Sequence, residues 1–365
     1  MLKSFNKITR SLLIVTVLVA MLCSIPSEAS MFYSYTYDNE SKSVTAPDAA
    51  LPTRTVTGAD MKAGSLNVPQ DLLIYNDEVY IVDTGNNRII VTDLEFSKSR
   101  IISSFKNNGN VDTFQEPQGI CVTDDAIYIA DTKNSRVVKL DHKGKLKLII
   151  KSPKEENPDD ETFAKDFVFK PVKVAVDQYN RIFVISSGYN LGLMQFNPDG
   201  SYLQSIGAPK VTLSIAEQVK RKFQTKAQKE RTMDVVPTEY SNISITAKGF
   251  IYVTSESTDV EVDALRQLNA KGQDIINRIG DPSGDIIVGK GSASYKGPSA
   301  IVDVCQVEED GNIAILDRKR SRVFVYDDTC KLLYVFSGPG DYNGGMKTAA
   351  AMSVPTLPRR STQIR

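Results

Sequence analysis

Short runs of β-branched and aromatic residues alternate with polar, turn-forming stretches along most of the chain. The clearest example spans residues 79–93, where two apolar arms flank the polar loop 83–88. β-Branched residues dominate both arms, which is typical of strands that pack on a pleated, half-buried surface. The pattern therefore predicts a strand, a tight loop and a second strand.

The chain repeats this unit at residues 127–141 and again at residues 313–327. Each copy has an aspartate, four further residues, an arginine and then an apolar β-branched residue. The pairs are Asp83 with Arg88, Asp131 with Arg136, and Asp317 with Arg322. An active site is expected once per fold, whereas this pair recurs with each unit. We therefore interpret it as a structural contact, a charge-assisted hydrogen bond at the corner between two strands.

Strand signals of similar spacing divide residues 66–338 into five repeats of four strands each. The first, second and fifth repeats carry the full motif, whereas the third and fourth keep only the strand spacing. In the third repeat, Ser186 and Leu191 occupy the places of the aspartate and the arginine. A unit repeated at this period indicates an architecture before it indicates a site.

Four short strands per repeat, with a loop of the type Asp-Thr-x-Asn-x-Arg-Val between the second and third strands, resemble the NHL-repeat β-propeller family. The resemblance implies an all-β fold of four-stranded blades, with the first strand of each blade at the central axis and the fourth at the rim. NHL-type rings commonly have six blades, so five repeats predict an incomplete six-bladed ring. The family includes lyases, gluconolactonase-like relatives, nucleic-acid-binding modules and exported proteins, so the fold does not settle the function.

Residues 1–29 have the pattern of a signal peptide, with a basic start, an uncharged apolar run and a small residue, Ala29, at the expected cleavage site. The apolar run, residues 11–25, is shorter than the ~20 residues of a spanning helix. An uncleaved anchor and a lipid attached at Cys23 are the alternatives. All three predict that the body lies outside the cytoplasm, secreted or at the extracellular face of the envelope.

Three segments fall outside the strand pattern. Residues 30–65 are predicted to contain one strand, at 32–38, followed by a polar linker. Residues 214–231 begin with a capping-box pattern and continue with a helical apolar stripe, which predicts a basic helix inserted between the third and fourth repeats. Residues 339–365 have the composition of a disordered tail.

A ring that lacks a blade has physical consequences. We expect the outer faces of the first and fifth repeats to be partly unburied and the strand at 32–38 to lack a partner. Such a ring is expected to be open or strained, and to self-associate.

The composition limits the chemistry. The chain has 44 basic and 44 acidic side chains, so no net charge attracts it to nucleic acid or to an anionic membrane. The sole histidine, His142, is predicted to lie in a turn and cannot assemble a multi-histidine metal site. No metal and no other cofactor is therefore predicted. A calcium site made of carboxylates alone, as in gluconolactonase-type propellers, remains open, with Asp177, Asp303 and Asp310 as candidates.

Three cysteines follow the predicted signal peptide, and an odd, low number does not indicate a disulfide framework. We expect Cys121, Cys305 and Cys330 to be free thiols. Cys305 and Cys330 share a repeat, but they are predicted on its first strand and in the turn after its third, too far apart for a bridge.

The loops between the second and third strands are the candidate binding surface, because loops carry recognition on such scaffolds. Their candidate binding residues are Asn87, Lys133, Tyr189, Arg318, Lys319 and Arg320. The cations among them fit an anionic or glycan-like partner, and an equally good interpretation is that they are only solvated.

We predict a non-enzymatic binding or scaffold module with no catalytic residues, which binds a protein or glycan partner at the cell surface. The first alternative is a calcium-dependent propeller enzyme of the gluconolactonase or lyase type. The second is a nucleic-acid-binding NHL module, which the export signal and the zero net charge oppose.

Overall fold

A computed structural model of the chain describes residues 34–40, 42–48, 50–158, 163–208, 239–257, 264–282, 284, 299–307, 311–340, 345–346 and 349–352. The predicted signal peptide and the predicted helix at 214–231 lie outside the described residues. The regular secondary structure of the described chain is nearly all β-strand, as the sequence predicts.

The first half of the described chain forms a hairpin and two four-stranded antiparallel sheets, which we call blades 1 and 2. The hairpin consists of β1 (Tyr35–Tyr37) and β2 (Ser43–Thr45). Blade 1 consists of β3 (Pro69–Tyr75), β4 (Glu78–Asp83), β5 (Arg88–Asp93) and β6 (Ser99–Ile102). A second hairpin, β7 (Ser104–Asn107) and β8 (Asn110–Thr113), leads to blade 2. Blade 2 consists of β9 (Pro117–Val122), β10 (Ile127–Asp131), β11 (Arg136–Leu140) and β12 (Leu146–Ile150).

The second half contains blades 3, 4 and 5 after a short helix, α1 (Pro153–Glu156). Blade 3 consists of β13 (Pro171–Val176), β14 (Ile182–Ser186), β15 (Leu193–Phe196) and β16 (Tyr202–Ile206). Blade 4 consists of β17 (Tyr240–Ile245), β18 (Ile251–Ser257) and β19 (Leu265–Leu268). Blade 5 consists of β20 (Ser299–Gln306), β21 (Ile313–Asp317), β22 (Arg322–Tyr326) and β23 (Leu332–Phe336). After it, β24 (Gly338–Pro339) and β25 (Gly345–Met346) pair in parallel.

Two local features differ from the predicted strand pattern. In blade 4, a single bridge between Leu268 and Asp274 stands where the sequence predicts a fourth strand. The β7–β8 hairpin was not predicted, although Asn108 and Gly109 mark its turn. Both residues have positive φ, 49° and 86°, which is the backbone geometry that Asn-Gly favours in a two-residue hairpin loop.

Neighbouring blades pack face to face through apolar side chains. Among the described residues, one hydrophobic cluster joins each consecutive pair of blades, from blades 1 and 2 to blades 4 and 5. The second strands β10, β14 and β21 are buried at every position, because both of their faces contact a neighbouring layer. Such burial on both sides explains why these strands are continuous apolar runs in the sequence.

Blades 1 and 5 do not share a hydrophobic cluster within the described ranges, and each has its own cover. On blade 1, the outer face contains Val79, Ile81 and Ile90, and it packs against Met61 and Ala63. These two residues belong to a segment, 56–66, that we call the N-terminal strap. The sequence predicts a polar linker here, but Met61 is only 1% exposed.

On blade 5, the outer face is covered by residues 345–346 and 349–352, which we call the C-terminal strap. Met346, Ala349 and Met352 of this strap pack on a face that includes Leu316 and Val325. The two straps therefore cover the outer faces of the first and last repeats in part, and side chains there such as Leu333 and Phe336 stay only partly buried.

The predicted strand at 32–38 does have a partner. β1 lies beside β23, with Tyr35 opposite Val335, and so it extends blade 5 outwards. The Thr36 hydroxyl also donates a hydrogen bond to the Leu333 carbonyl, 2.9 Å away. The expectation of an unpaired strand is wrong because the outer strand of blade 5 accepts it.

Gly119 on β9 sets the approach of blades 2 and 3. A Cβ atom at this position would lie 2.5 Å from the Val172 carbonyl oxygen and 2.8 Å from the Lys173 Cα. Both are backbone atoms, which do not move aside without displacing β13. Glycine is therefore required here for close packing.

We predict that Gly119→Ala destabilises the protein by about 1–3 kcal/mol, the usual cost of forcing extra volume into a packed interior. Urea denaturation followed by circular dichroism would measure the loss. Gln118→Ala, at the adjacent half-buried position, is the control and should cost less than about 1 kcal/mol. Equal effects of the two substitutions would contradict this account of Gly119.

Candidate functional site

The loops between the second and third strands of blades 1 and 2 share one backbone conformation. Each is a single 3-10 turn, Thr84–Asn86 in blade 1 and Thr132–Asn134 in blade 2, followed by a residue in the left-handed region. That residue is Asn87 in blade 1, Ser135 in blade 2 and Ser321 at the same place in blade 5, with φ between 52° and 55°. The loops therefore form a repeated corner rather than three independent loops.

A fully buried aspartate holds the corner of blade 1. The Asp83 carboxylate accepts hydrogen bonds from the Asn67 backbone N–H at 2.7 Å, from Asn86 Nδ2 at 2.8 Å and from Arg88 Nε at 2.7 Å. It thus joins the loop to the chain that enters β3. The charge is buried at low cost because a cation and two further donors surround it.

Blade 2 reproduces these bonds. Asp131 accepts from the Gln115 N–H at 2.7 Å, from Asn134 Nδ2 at 2.9 Å and from Arg136 Nε at 2.8 Å. Arg136 also forms a pair with Asp112, and this guanidinium lowers the pKa of the Asp112 carboxyl to about 2. The motif arginine therefore connects the corner of blade 2 to β8.

Blades 3 and 5 vary the same contact. In blade 3, the Ser186 hydroxyl accepts the Lys170 N–H at 2.9 Å, in the place of an aspartate oxygen. In blade 5, Asp317 accepts from Arg320 Nη1 at 2.5 Å, while Arg322 donates to the Ser337 carbonyl at 2.9 Å. Arg320 is therefore a corner residue, whereas the sequence places it with the exposed loop cations.

The structure brings most of the other predicted binding residues to the loop surface. Asn87, Lys133, Arg318 and Lys319 are exposed. Lys133 pairs with Glu116, and Arg318 pairs with Glu256 at 2.6 Å.

Tyr189 differs from the other predicted binding residues, because it is only 6% exposed. Its ring packs against Phe163 and Phe167, and its hydroxyl contacts Ser205. An aromatic ring gains more from burial than from exposure in a loop, which explains the difference from the prediction.

A second group of polar residues lies at the centre of the ring. The first strand of every blade has a register shift, at its second position in blades 1 to 4 and at its fourth in blade 5, and the residue after the shift occupies the same place in each blade. These residues are Asp71, Gly119, Lys173, Asn242 and Asp303. We call the four polar members the axial cluster.

The axial cluster joins blades that are not neighbours. Lys173 Nζ in blade 3 lies 2.9 Å from Asp71 Oδ1 in blade 1, and Asp71 Oδ2 accepts the Ile120 N–H at 3.0 Å. Asn242 Nδ2 donates to Asp303 Oδ1. The other oxygen, Asp303 Oδ2, accepts the Met352 backbone N–H at 2.6 Å.

Asp303 is the electrostatically unusual member of the cluster. Burial raises the pKa of its carboxyl to about 7, the charge of Lys173 opposes this rise, and the charge of Asp71 adds to it. A carboxyl with such a pKa changes charge near neutral pH, and groups of this kind often lie at functional sites.

Sequence reasoning named Asp303 only as a calcium candidate and missed the other three members. The available signal was a polar residue at the same repeat position within otherwise apolar first strands.

The remaining candidates for chemistry are separate from one another. Asp177 forms a turn contact with Arg181, 2.6 Å away, and Asp310 lies outside the described residues. His142 Nε2 donates to the Thr123 carbonyl at 2.9 Å. Across the described ranges, no three side chains of the His, Cys, Asp and Glu types lie close enough to hold a metal ion.

The cysteines are free thiols and show no sign of activation. Burial raises the pKa of Cys121 and of Cys330 to about 12, so both are protonated at neutral pH. Cys305 forms no disulfide with the other described cysteines. A nucleophilic thiol would need the opposite shift.

Comparison with known protein families matches residues 114–140 to the NHL repeat. This segment contains β9, β10, β11 and the corner of Asp131 and Arg136. Comparison with curated proteins finds no match.

Solved structures with similar folds are distant in sequence. Virginiamycin B lyase from Staphylococcus aureus is 10% identical, with 73% of this chain and 69% of that chain covered and a TM-score of 0.42. A protein of unknown function from Bacteroides caccae is also 10% identical, with 73% and 80% covered and a TM-score of 0.43. The β-propeller domain of Cps50 from Myceliophteria thermophila is 10% identical, with 72% and 65% covered and a TM-score of 0.43. Similarity this low transfers no activity.

The blades and the matched repeat define the class of this protein: it is a β-propeller that contains an NHL repeat. The predicted resemblance to NHL-repeat propellers is thereby confirmed. The axial cluster is one candidate functional region. The other consists of the loops between the second and third strands of the blades, which we call the b–c corners.

We predict that Asp131→Ala destabilises the protein by about 3–5 kcal/mol, because it leaves three donors at a buried corner without their acceptor. Ser186→Ala, which removes one neutral hydrogen bond at the equivalent corner, should cost about 1 kcal/mol. Chemical denaturation of both variants would test the difference. Similar losses of stability in the two variants would show that the buried carboxylate contributes no more than the serine hydroxyl does.

Asp303 should make stability depend on pH. Its folded pKa, about 7, lies above the ordinary value of 3.8, so its contribution is fully present below pH 3.8 and is lost as the pH rises through 7. Relative to Asp303→Asn, the free energy of unfolding of the wild type should fall by a few kcal/mol over this window. Urea denaturation across this pH range would measure it. Parallel pH profiles for the two proteins would refute the assignment.

Proposed function

We propose that this chain is an exported, non-enzymatic propeller that binds a partner at the cell envelope through its b–c corners. One observation carries the proposal: the corners repeat a similar backbone but vary the residue at its exposed third position. That position holds Gly85, Lys133 and Lys319, and all three are exposed. A constant frame with variable exposed side chains is typical of a recognition surface.

The corners are suited to binding because they are already ordered. The buried carboxylates of Asp83, Asp131 and Asp317 fix each loop from below. A surface that is ordered before binding loses less conformational entropy when a partner arrives. Side chains on this frame thus contribute more of their contact energy to affinity.

The exposed side chains favour an anionic partner. Lys133, Arg318 and Lys319 supply the positive charges, and two of them form exposed pairs with Glu116 and Glu256. Exposed ion pairs contribute only about 0–1 kcal/mol, so an acidic protein surface or an anionic glycan can displace these glutamates.

The location of the protein is part of the proposal. Residues 1–29 have the pattern of an export signal, and the zero net charge of the whole chain gives no support to nucleic-acid binding. No helix in the part of the chain that the structure describes is long and apolar enough to cross a membrane.

The test uses paired substitutions on the two ends of the blades. We predict that the double variant Lys133→Ser with Lys319→Ser binds less tightly to an envelope extract of the organism that makes the protein, or to anionic glycans on an array. The expected change is about 10-fold in affinity, which is a loss of about 1.4 kcal/mol in binding free energy. Biolayer interferometry on immobilised extract, repeated at increasing salt, would measure the change. Arg320 is left intact because it holds Asp317.

The control removes two exposed lysines from the opposite ends of the strands, Lys143→Ser with Lys271→Ser. This control should bind like the wild type. Equal loss in both double variants would point to nonspecific charge attraction, and no loss in either would remove the corners as the binding surface.

A further inference from the structure

Beyond the pairing of β25 with β24, the C-terminal strap makes a polar contact with the axial cluster through Met352. The Met352 N–H donates to Asp303 Oδ2 at 2.6 Å, and Asp303 is only 5% exposed. The other carboxylate oxygen, Oδ1, is already occupied by Asn242 Nδ2 and by the Val304 N–H at 2.8 Å. The position facing the strap is therefore a defined acceptor on a carboxylate held in place by two further donors.

The apolar contacts of the strap are few. Within the described residues, Met346, Ala349 and Met352 are the strap side chains that pack on the outer face of blade 5, and they remain only partly buried. Side chains that stay partly in contact with water gain only part of the free energy of full burial. The hydrogen bond to Asp303 therefore adds to an incomplete apolar contact and to the pairing of β25 with β24.

The surroundings of Asp303 bring its titration to neutral pH. The charged groups that face it are Lys173 on β13 and Asp71 on β3, while Asn242 on β17 is neutral. Burial is the largest effect and raises its pKa to about 7. The nearby Cys121 thiol on β9 has a pKa of about 12 and stays neutral in this range.

The strength of the hydrogen bond between Asp303 and the strap depends on the protonation state of Asp303. An ionised carboxylate accepts the Met352 N–H in a charge-assisted hydrogen bond, which is roughly twice as strong as a neutral one. A protonated carboxyl carries its own O–H and is a weaker acceptor. Strap binding and ionisation therefore favour each other by linkage, in agreement with the lowering effect of the Met352 N–H on the pKa of Asp303.

We propose that the hydrogen bond from Met352 to Asp303 is a latch, which holds the C-terminal strap on blade 5 while the carboxylate is ionised and releases it when the carboxyl takes a proton from solvent. Release uncovers the apolar face that contains Leu316 and Val325. Mild acidification thereby exposes a surface that the chain itself covers at higher pH.

Selective ¹⁵N labelling of methionine tests the latch in the full chain. The sequence has eight methionines, so the spectrum is sparse, and Met352→Leu assigns the Met352 amide. We expect its proton resonance to lie downfield above neutral pH and to move upfield with a midpoint of about 7. Its ¹H–¹⁵N heteronuclear NOE should fall over the same range as the strap loosens.

Three substitutions separate the latch from other causes. Asp303→Asn should abolish the titration, and Lys173→Gln should raise the midpoint because it removes the ammonium that favours the ionised carboxyl. His142→Asn, which removes the only histidine in the chain, should change neither. The buried Met61 and Met194 amides report whether each variant keeps its fold.

Several outcomes would overturn the proposal. These are a Met352 amide that does not titrate, a titration that survives in Asp303→Asn or disappears in His142→Asn, and an NOE that stays high while the resonance moves. Should Asp303→Asn not fold, Lys173→Gln decides the question, and an unmoved midpoint then rejects the latch.

Discussion

A buried carboxylate at the end of the second strand is the contact on which the blade architecture depends. In blades 1 and 2 it ties the b–c loop to the chain entering the first strand, and the neighbouring threonine reaches the next blade. Thr84 donates to the Pro117 carbonyl at 2.6 Å, and Thr132 donates to the Pro171 carbonyl at 2.7 Å. Each corner therefore fixes its own loop and the position of the following blade. A single blade cannot bury its apolar faces alone, so stability depends on this stacking.

The corner also separates stability from recognition. In blades 1, 2 and 5 a buried aspartate holds the corner, whereas the exposed third residue of the loop differs between these blades. Blade 3 shows how far this tolerance extends, because Ser186 replaces the carboxylate and keeps the hydrogen bond to the Lys170 N–H. Because buried contacts hold the backbone of each corner, the exposed loop residues can be replaced without disrupting the ring.

Local sequence patterns predicted what local physics decides. Apolar alternation located the strands, and the Asp–Arg spacing located the corners. Contacts between distant segments were missed for physical reasons. Met61 lies alone in a polar stretch, so nothing nearby indicates that it covers blade 1. Arg320 and Arg322 are two residues apart, and the motif spacing alone does not show that Arg320 contacts Asp317. The axial cluster depends on the ring as a whole, since Asp71 and Lys173 belong to blades 1 and 3.

The pairing of β1 with β23 has a consequence for the order in which the molecule assembles. Tyr35 and Val335 lie at opposite ends of the described chain, so closing this contact ends a loop that contains all the intervening blades. The entropy cost of such a closure grows only slowly with loop length, but contacts of high sequence separation form late and slow the folding. β1 therefore cannot complete its pairing before the last blade has formed. The edge of β1 that faces β23 stays unpaired until synthesis has reached β23.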